Sequence, residues 1–396
     1  MARTFIITAA IASVLLGLPA RASAQRVQID VSVSAEVSRE IREALREVAS
    51  GVSDALRDAS RDINRDLGRG IGRDLAQGLR DLPKLGRLGA WDGGWSLAQE
   101  RNWNARADDR RTRTIAIGPN GTLELHNLAG DITVTAGSGR DTTIEVIRHS
   151  RGRTEADARL GLDRVTVSQQ VNATRATVRA DYPDERQSVY SVAVDMVISA
   201  PAGTRLVINS LSGSIKVTGI KGEMAANTMS GSVTLGNVGT VSEAKTASGD
   251  VSIIGATGEG TLDAGTLSGD VTLQQVKASR IHATAVSGSV TARDVTCESA
   301  TLNSLSGDAV FSGDLAQNGR YEITSHSGDV RFTPTGKVGF TLVASSFSGD
   351  ISSSLALQTS DTTRTRRRSL TGKIGDGSAT VTLQTFNGDI TIGTKK

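Results

Sequence analysis

The chain has little of what stabilises most small exported domains and most thick protein cores. Its 396 residues include one cysteine, six prolines, three tryptophans, three tyrosines and six phenylalanines. A single cysteine, Cys297, cannot form a disulfide within the chain, and it cannot build a zinc ribbon or a CxxC redox centre. With so few large rings, the fold must depend on the burial of small aliphatic side chains.

Glycine, in contrast, is abundant, with 43 residues. The glycines follow no strict triplet, which excludes collagen, and a hydrophobic content of 38% is too high for a chain that is disordered throughout. A core with few aromatic side chains, in a chain rich in glycine, is typical of short strands that stack on one another rather than of large packed layers.

Residues 1–24 have the pattern of a signal peptide. Arg3 supplies positive charge, residues 5–18 are apolar, and Ala22-Ser23-Ala24 is typical of a cleavage site. The apolar run is shorter than the ~20 residues that a membrane-spanning helix needs. We therefore predict a secreted protein that begins at Gln25 and lies in the periplasm or at the cell surface. Cleavage lowers the formal net charge from +3 to +1, so nucleic acid is not an expected partner.

Residues 25–84 are predicted to form an amphipathic helical segment. Apolar residues recur at spacings of four, four and three from Val37 to Leu67, and acidic and basic residues alternate on the other faces. Such a helix needs a surface for its apolar stripe. Three interpretations stay open: packing on this chain or on a second copy, binding to a membrane surface, and disorder. Self-association through this helix is therefore one hypothesis.

Two further segments precede the repeats. Residues 85–111 are rich in glycine and hold all three tryptophans, which predicts a linker pinned to the next domain or, alternatively, a sugar-stacking platform. Alternation of apolar and polar residues predicts an irregular β region over 112–200, with a polar insertion at 151–159.

A short motif, Ser-Gly-Asp or Ser-Gly-Ser followed by alternating apolar residues, dominates residues 201–396. Its glycines recur along this whole region, with a degenerate copy at Gly372 and an isolated earlier copy at Gly130. Apolar residues two and four positions after the glycine, and five before it, predict two short strands in each repeat. The remaining glycines of the series are Gly213, Gly231, Gly249, Gly269, Gly288, Gly307, Gly328, Gly349 and Gly388.

These spacings predict an all-β fold, a single-stranded β-solenoid of about ten coils of ~19 residues. A propeller blade needs about twice that length, and the calcium-binding nonapeptide roll needs a signature that is missing. At each corner, glycine is expected to adopt a backbone conformation that other residues avoid. The serine before it is expected to bond back to the backbone.

The motif series, the Val-Ile-Ser-Ala-Pro-Ala-Gly-Thr segment at 197–204 and the Thr-Phe-Asn-Gly-Asp-Ile-Thr-Ile segment at 385–392 resemble the bacterial putative-adhesin family of β-strand-repeat domains. That family is a domain of unknown function, described by its repeats. The resemblance covers about residues 114–396. It implies a cell-envelope or exported protein, and it does not extend to the helical segment.

The residue after each glycine is Asp or Ser in nearly every copy, and stacking would align these residues in a column. Asp308, Asp329 and Asp350 are expected on three successive coils, about 5 Å apart. Three interpretations stay open: turn chemistry with solvated side chains, a ladder of calcium sites, and the carboxylate pair of a β-helical polysaccharide-cleaving enzyme. No nucleophile-elbow, zinc-protease or phosphate-loop motif is present, so we predict a protein that is not an enzyme and whose one candidate cofactor is calcium.

A second column lies two residues before each glycine and is apolar in most copies. Directed outward, it would form an exposed apolar stripe, which is typical of a binding surface; directed inward, it would add to the core. An arginine run at 364–368 is either a solvated loop or a site for anionic envelope polymers. We predict an adhesin-like binding or structural module of the cell envelope, whose partner is a glycan or a protein. Its candidate ligand-binding residues are Leu267, Val286, Leu305, Phe347 and Phe386.

Overall fold

The computed structural model describes residues 103–183, 189–359 and 368–394. This part of the chain is all-β apart from one helix, α1 (Glu155–Arg164). Its strands belong to one hydrogen-bonded network of 25 strands. The predicted signal peptide, the predicted helical segment and positions 85–102 of the predicted linker lie outside the described residues.

The N-terminal region, which comprises strands β1 to β7, lies at the start of a parallel stack. Strand β4 pairs antiparallel with β1 on one side and β7 on the other, and β5 and β6 form an antiparallel hairpin. Strand β1 begins at Ala105, so the boundary predicted between linker and β region at 111/112 falls inside a strand. The strands are β1 (Ala105–Ile115), β2 (Thr122–Ala129), β3 (Ile132–Gly137), β4 (Thr142–Gly152), β5 (Thr166–Asn172), β6 (Arg175–Asp181) and β7 (Tyr190–Pro201).

Helix α1 occupies the segment that the sequence suggested only as a polar insertion. Thr154 accepts a hydrogen bond from the backbone N–H of Asp157 on its hydroxyl, and the Asp157 carboxylate accepts one from the backbone N–H of Thr154. This capping box satisfies two backbone donors that a helix start leaves unpaired. It fixes the point at which β4 ends and the helix begins.

The repeats each contribute two strands, which we call the A-strand, before the motif glycine, and the B-strand, after it. The long strands β17 and β18 each combine a B-strand with the next A-strand. The strands are β8 (Arg205–Ser212), β9 (Ile215–Thr218), β10 (Met224–Ser230), β11 (Val233–Gly236), β12 (Val241–Ser248), β13 (Val251–Ile254), β14 (Thr261–Ser268), β15 (Val271–Gln274), β16 (Arg280–Ser287), β17 (Val290–Ser306), β18 (Ala309–Ser327), β19 (Val330–Thr335), β20 (Phe340–Ser348), β21 (Ile351–Ser353), β22 (Gln358–Thr359), β23 (Ser369–Ile374), β24 (Ala379–Asn387) and β25 (Ile390–Ile392).

Equivalent residues of neighbouring repeats lie opposite each other. Ser230, for example, is the register partner of Ser212 in one direction and of Ser248 in the other, in parallel strands. In-register parallel pairing repeats the same side chain every ~4.8 Å and so turns every motif position into a column. This arrangement confirms the predicted all-β, solenoid-like fold.

The core is a narrow column of side chains. One repeat contributes Ala226, Val233, Leu235 and Val238, all fully buried, and the next repeats place equivalent residues above them. Within the repeats, larger rings enter near the C-terminal end, where the core contains the ring cluster Phe311, Tyr321, Phe332 and Phe340. The scarcity of aromatics in the sequence therefore matches a core that is one or two side chains wide.

Chain order and stacking order differ at the two ends of the repeat series. The isolated early copy at Gly130 joins the stack with β2 between β6 and β8 and with β3 between β7 and β9, so the later strands β6 and β7 lie outside it. At the other end, β24 lies between β18 and β20, and β25 lies between β19 and β21. The last coil of the chain, with Gly388, is therefore inserted between the coils of Gly328 and Gly349.

Two predictions about this end are wrong for that reason. Asp308, Asp329 and Asp350 do not lie on three successive coils, because Asp389 lies between Asp329 and Asp350. The degenerate copy at Gly372 is not a coil of the parallel stack, because β23 pairs antiparallel with β20. Gly372 lies closer in sequence to the next motif glycine, Gly388, than any two consecutive glycines of the stacked repeats lie to each other, which leaves fewer residues than any of the stacked coils has.

Candidate functional site

The motif glycine forms the corner between A-strand and B-strand, and we call it the corner glycine. Gly231 has φ 133°, a conformation that residues with a Cβ rarely adopt. A Cβ on Gly231 would also overlap the carbonyl oxygen of Gly213 in the neighbouring coil. Both the backbone conformation and the close stacking therefore require glycine at this corner.

The residue after the corner glycine forms a column that we call the Asp/Ser column. Its side-chain oxygen accepts a hydrogen bond from the backbone N–H of the equivalent residue one coil further along. The distance is 2.9 Å from Asp270 N to Asp250 Oδ1 and 3.3 Å from Asp250 N to Ser232 Oγ. A short side chain with an acceptor oxygen can satisfy this N–H, which explains why Asp and Ser alternate freely at this position.

The C-terminal part of the Asp/Ser column continues this pattern in stacking order. Asp308 accepts from Asp329 N at 3.0 Å, Asp329 from Asp389 N at 3.0 Å, and Asp389 from Asp350 N at 2.9 Å. Arg331 donates to the second oxygens of Asp308 and Asp329, at 2.7 and 2.9 Å. One guanidinium therefore bridges two neighbouring carboxylates and reduces the repulsion between them.

Within the described residues, no three or more His, Cys, Asp and Glu side chains lie together as a metal site would require. Calcium binding by Asp308, Asp329 and Asp350 stays a prediction. Any such site would have to compete with Arg331 for two of these carboxylates.

A third column, the hydroxyl column, lies three residues before the corner glycine. Thr246 donates from Oγ1 to the carbonyl oxygen of Gly231 at 2.8 Å, and Ser325 does the same to Gly307 at 2.8 Å. These bonds satisfy corner carbonyls that the strand ladders leave free. The motif pattern favoured the serine immediately before the glycine for this role, but the Thr or Ser two positions earlier makes the bond. Its recurrence was the available signal. The other members are Thr228, Thr266, Ser304, Thr385 and Ser346.

The column two residues before the corner glycine lies at the surface, and we call it the outer column. Leu267, Phe386 and Phe347 are 40, 38 and 53% exposed, and Val286 and Leu305 are half-buried. The parallel register brings all five predicted ligand-binding residues into one line. The complete column, in stacking order, is Leu128, Leu211, Met229, Ala247, Leu267, Val286, Leu305, His326, Phe386 and Phe347.

The outer column ends in three stacked rings. The ring centroids of His326 and Phe386 are 4.9 Å apart with 9° between their planes, and those of Phe386 and Phe347 are 4.5 Å apart with 4° between them. The inserted coil supplies the middle ring. Because each ring covers the face of the next, this aromatic stack presents mainly ring edges to solvent.

A buried lysine lies beside the outer column. Strand alternation directs Lys245 away from the core, yet its side chain is only 1% exposed. Its Nζ lies 2.9 Å from Glu243 Oε1 and 2.6 Å from Asp263 Oδ2. Two carboxylates thus compensate the charge, as burial of a lysine requires. Next to it, Asn227 donates from Nδ2 to Glu243 Oε2 at 3.1 Å. The surface beside the apolar column is therefore polar, and Lys245, Glu243, Asp263 and Asn227 are linked to one another.

In the N-terminal region, Arg148 joins helix α1 to the sheet. Its Nη1 donates to the carbonyl oxygens of Leu162 and Val165, both at 2.7 Å, and its guanidinium pairs with Asp109. The Arg148 guanidinium holds the pKa of the Asp109 carboxyl below its usual range. The positive charge of Arg148 also interacts favourably with the negative end of the helix dipole, at the C-terminus of α1. This cluster is structural.

Part of the predicted arginine run lies outside the described residues, which include only its last member, Arg368. The Arg368 carbonyl oxygen accepts from Ser346 N at 2.9 Å, next to the aromatic stack. Trp103 is the one tryptophan within the described residues, where it is half-buried. Within the part of the chain that the structure describes, no helix is long and apolar enough to cross a membrane.

Comparison with known proteins gives one family. The model of the Toastrack DUF4097 family matches residues 120–393. No curated protein sequence matches this chain.

Several solved structures align with this chain at low sequence identity. A putative cell adhesion protein from Clostridium sporogenes is 10% identical, with 73% of this chain and 100% of that chain covered and a TM-score of 0.21. A putative adhesin from Bacteroides fragilis is 10% identical, covering 72% and 97%, with a TM-score of 0.34. A putative adhesin from Parabacteroides distasonis is 11% identical, covering 72% and 97%, with a TM-score of 0.30.

Proposed function

The chain belongs to the Toastrack DUF4097 family, and from the geometry of its columns we propose that it is an exported, adhesin-like binding module of the cell envelope and not an enzyme. The outer column is the observation that carries this proposal. It is a line of apolar side chains on a solvent-facing surface, interrupted by His326, and its C-terminal end exposes Phe347 and Phe386. Aligned apolar surface of this kind is typical of sites that another molecule covers.

The columns on either side favour a rigid binding surface. The Asp/Ser column and the hydroxyl column join each coil to the next through side-chain hydrogen bonds, in addition to the strand ladders. A surface held in place before binding loses little conformational entropy when a partner binds. The outer column can therefore contribute most of its apolar burial to affinity.

Polysaccharide cleavage by the Asp/Ser column receives no support from this geometry. Glycosidases need one carboxyl group free to donate a proton and a second free to attack or to activate water. Here Asp308 and Asp329 each give one oxygen to the next coil and the other to Arg331. We infer a structural role for these carboxylates.

Co-sedimentation tests the binding function. Purified protein is spun with isolated peptidoglycan and, separately, with vesicles of phosphatidylethanolamine and phosphatidylglycerol. We expect wild type to sediment with one of the two probes, and the Phe347→Ser/Phe386→Ser variant to remain in the supernatant. The matched control is Val171→Ser/Val197→Ser, which changes two valines that are 45 and 40% exposed elsewhere and should bind like wild type.

The proposal fails if wild type binds neither probe. It also fails if the folded Phe347→Ser/Phe386→Ser variant binds as well as wild type.

Export is tested on the same protein expressed in its full length. Mass spectrometry of the exported fraction should find a chain that begins at Gln25. Retention of the complete chain in the cytoplasm would contradict this part of the proposal.

A further inference from the structure

The last coil of the chain fills a slot between two coils that precede it in sequence. Asn387 is the register partner of Ser327 on one side and of Ser348 on the other. Gly328 N donates to Asn387 O, and Gly388 N donates to Ser348 O, both at 3.0 Å. The inserted coil, Ala379–Ile392, is therefore hydrogen-bonded on both sides.

The chain connects the two walls of this slot without passing through it. Residues 336–339 lead directly from β19 to β20. The short turn 375–378 connects β23 to the inserted coil. Each coil from Gly231 to Gly307, in contrast, is joined through the chain to the coils on both of its sides. The two walls of the slot thus stay joined to each other when the inserted coil leaves it.

We infer that this slot is a strand-exchange site, and that it accepts Ala379–Ile392 from a second copy of the chain. The slot offers the same backbone groups and the same apolar rows whichever copy supplies the strand, so the intermolecular complex keeps the strand-ladder hydrogen bonds of the slot. An empty slot would expose two rows of unpaired backbone groups, a strong template for strand addition.

The turn that must open is short and rich in glycine. Gly375 and Gly377 have φ values of 60° and 68°, and Gly377 N donates to Ile374 O at 3.2 Å. Opening this turn breaks that bond and releases two left-handed residues into an extended connection. Tight turns of this kind are the usual hinges of domain swapping.

Exchange would give the candidate site a residue from another copy. Phe386, the middle ring of the aromatic stack, would then come from the second copy, while His326 and Phe347 remain on the first. This inference goes beyond the proposed binding function and does not depend on it.

Cysteine pairs across the slot test the exchange in the full-length chain. A Cys297→Ala background removes the native thiol, which is exposed during refolding. Two differently tagged populations, one with Ser327→Cys and one with Asn387→Cys, are unfolded together, refolded together and oxidised. Adjacent parallel strands place these positions within the Cα distance range of disulfides. We expect a covalent heterodimer.

The matched control uses Ser230→Cys and Ser248→Cys, which have the same register relation on interior coils. We expect no heterodimer from this pair. The inference is overturned if both pairs give equal amounts of heterodimer. It is also overturned if the exchange pair gives none while a single chain carrying Ser327→Cys and Asn387→Cys forms its internal disulfide.

Discussion

The interior coils and the C-terminal end of the stack use the same corner geometry but connect their coils differently. From Arg205 to Ser306, each coil stacks on the one that precedes it in sequence. At the C-terminal end, β24 and β25 return to fill a gap between earlier strands. The repeated motif therefore specifies the shape of one coil, and it leaves the order of the coils to the lengths of the connections.

The side chains change together with the connections. The interior core consists of small aliphatic residues, and its outer column is aliphatic as well. Near the C-terminal end, aromatic rings appear both in the core and in the outer column. The end that is least constrained by chain connectivity thus has the largest buried and exposed rings. Stacking order is what makes these rings meet.

The largest expected effect contrasts corner glycines of the two regions. Gly249 has φ 137°, and a Cβ there would overlap the carbonyl oxygen of Gly231. Strain and overpacking each cost about 1–3 kcal/mol, so Gly249→Ala should lower the free energy of global unfolding by about 3 kcal/mol. Urea denaturation measures this change.

Gly388→Ala makes the equivalent change in the inserted coil, where a Cβ would overlap the carbonyl oxygen of Gly328. We expect the coil to leave its slot, with loss of amide exchange protection in β24 and little change in the interior strands. Equal loss of protection throughout both variants would show that the inserted coil is as firmly connected as an interior one.

The ring cluster of the C-terminal core should be next in magnitude. The Tyr321 hydroxyl donates to the Cys297 carbonyl oxygen at 2.6 Å and accepts from Ala316 N at 2.8 Å. Tyr321→Phe leaves two buried backbone groups without this partner, and such a loss costs about 1–3 kcal/mol. Thermal unfolding should show the loss.

A pH series gives the same residue a second test. Burial raises the pKa of Tyr321 to about 12, above its ordinary value of 10.0. Between these values the unfolded chain ionises this tyrosine and the folded chain does not, so wild type should lose stability as pH rises from 10 toward 12. Tyr321→Phe should lose less over this range, and an equal loss in both proteins would contradict the assignment.

The hydroxyl column provides a smaller, paired test. Thr246 donates to Gly231 O at 2.8 Å, and Thr385 donates to Gly328 O at 2.9 Å. Replacement of either by Val removes one such bond, worth about 1 kcal/mol. Thr246→Val should lower the free energy of global unfolding, while Thr385→Val should mainly accelerate amide exchange in β24. Identical exchange patterns would contradict the difference between the two regions.

Calcium should have the smallest effect. Arg331 occupies the second oxygens of Asp308 and Asp329, so wild type should be stabilised little when calcium is added. Arg331→Ala leaves these carboxylates available to an oxygen-seeking cation. Calcium should then raise the melting temperature of the variant more than that of wild type. An equal or larger rise in wild type would favour the predicted calcium ladder.

The sequence predicts the coil well because its signals are local. The corner glycine, the alternation after it and the small residues five positions before it each act within one repeat, and all of them stand where expected, as in the coil of Gly231, Val233 and Ala226. The Thr154–Asp157 capping box was also present in the sequence and could have located helix α1.

The order of the last coils could not be predicted from the motif, because every A-strand presents the same backbone edge and fits beside any other. The short interval after Gly372 was the one sequence signal that a coil there would be shorter than any of the stacked coils. The aromatic stack depends on that order, so its membership was hidden as well. Burial of Lys245 depends on carboxylates from two different coils, Glu243 and Asp263, and a single repeat does not contain that information.

The stacking order itself is tested most directly by nuclear Overhauser effects among the three rings of the aromatic stack. With the inserted coil in its slot, ring protons of Phe386 should show contacts to both His326 and Phe347, at centroid distances of 4.9 and 4.5 Å. His326 and Phe347 should show none to each other. A direct contact between His326 and Phe347, with Phe386 remote from both, would mean that the coils stack in chain order and would contradict the inserted coil.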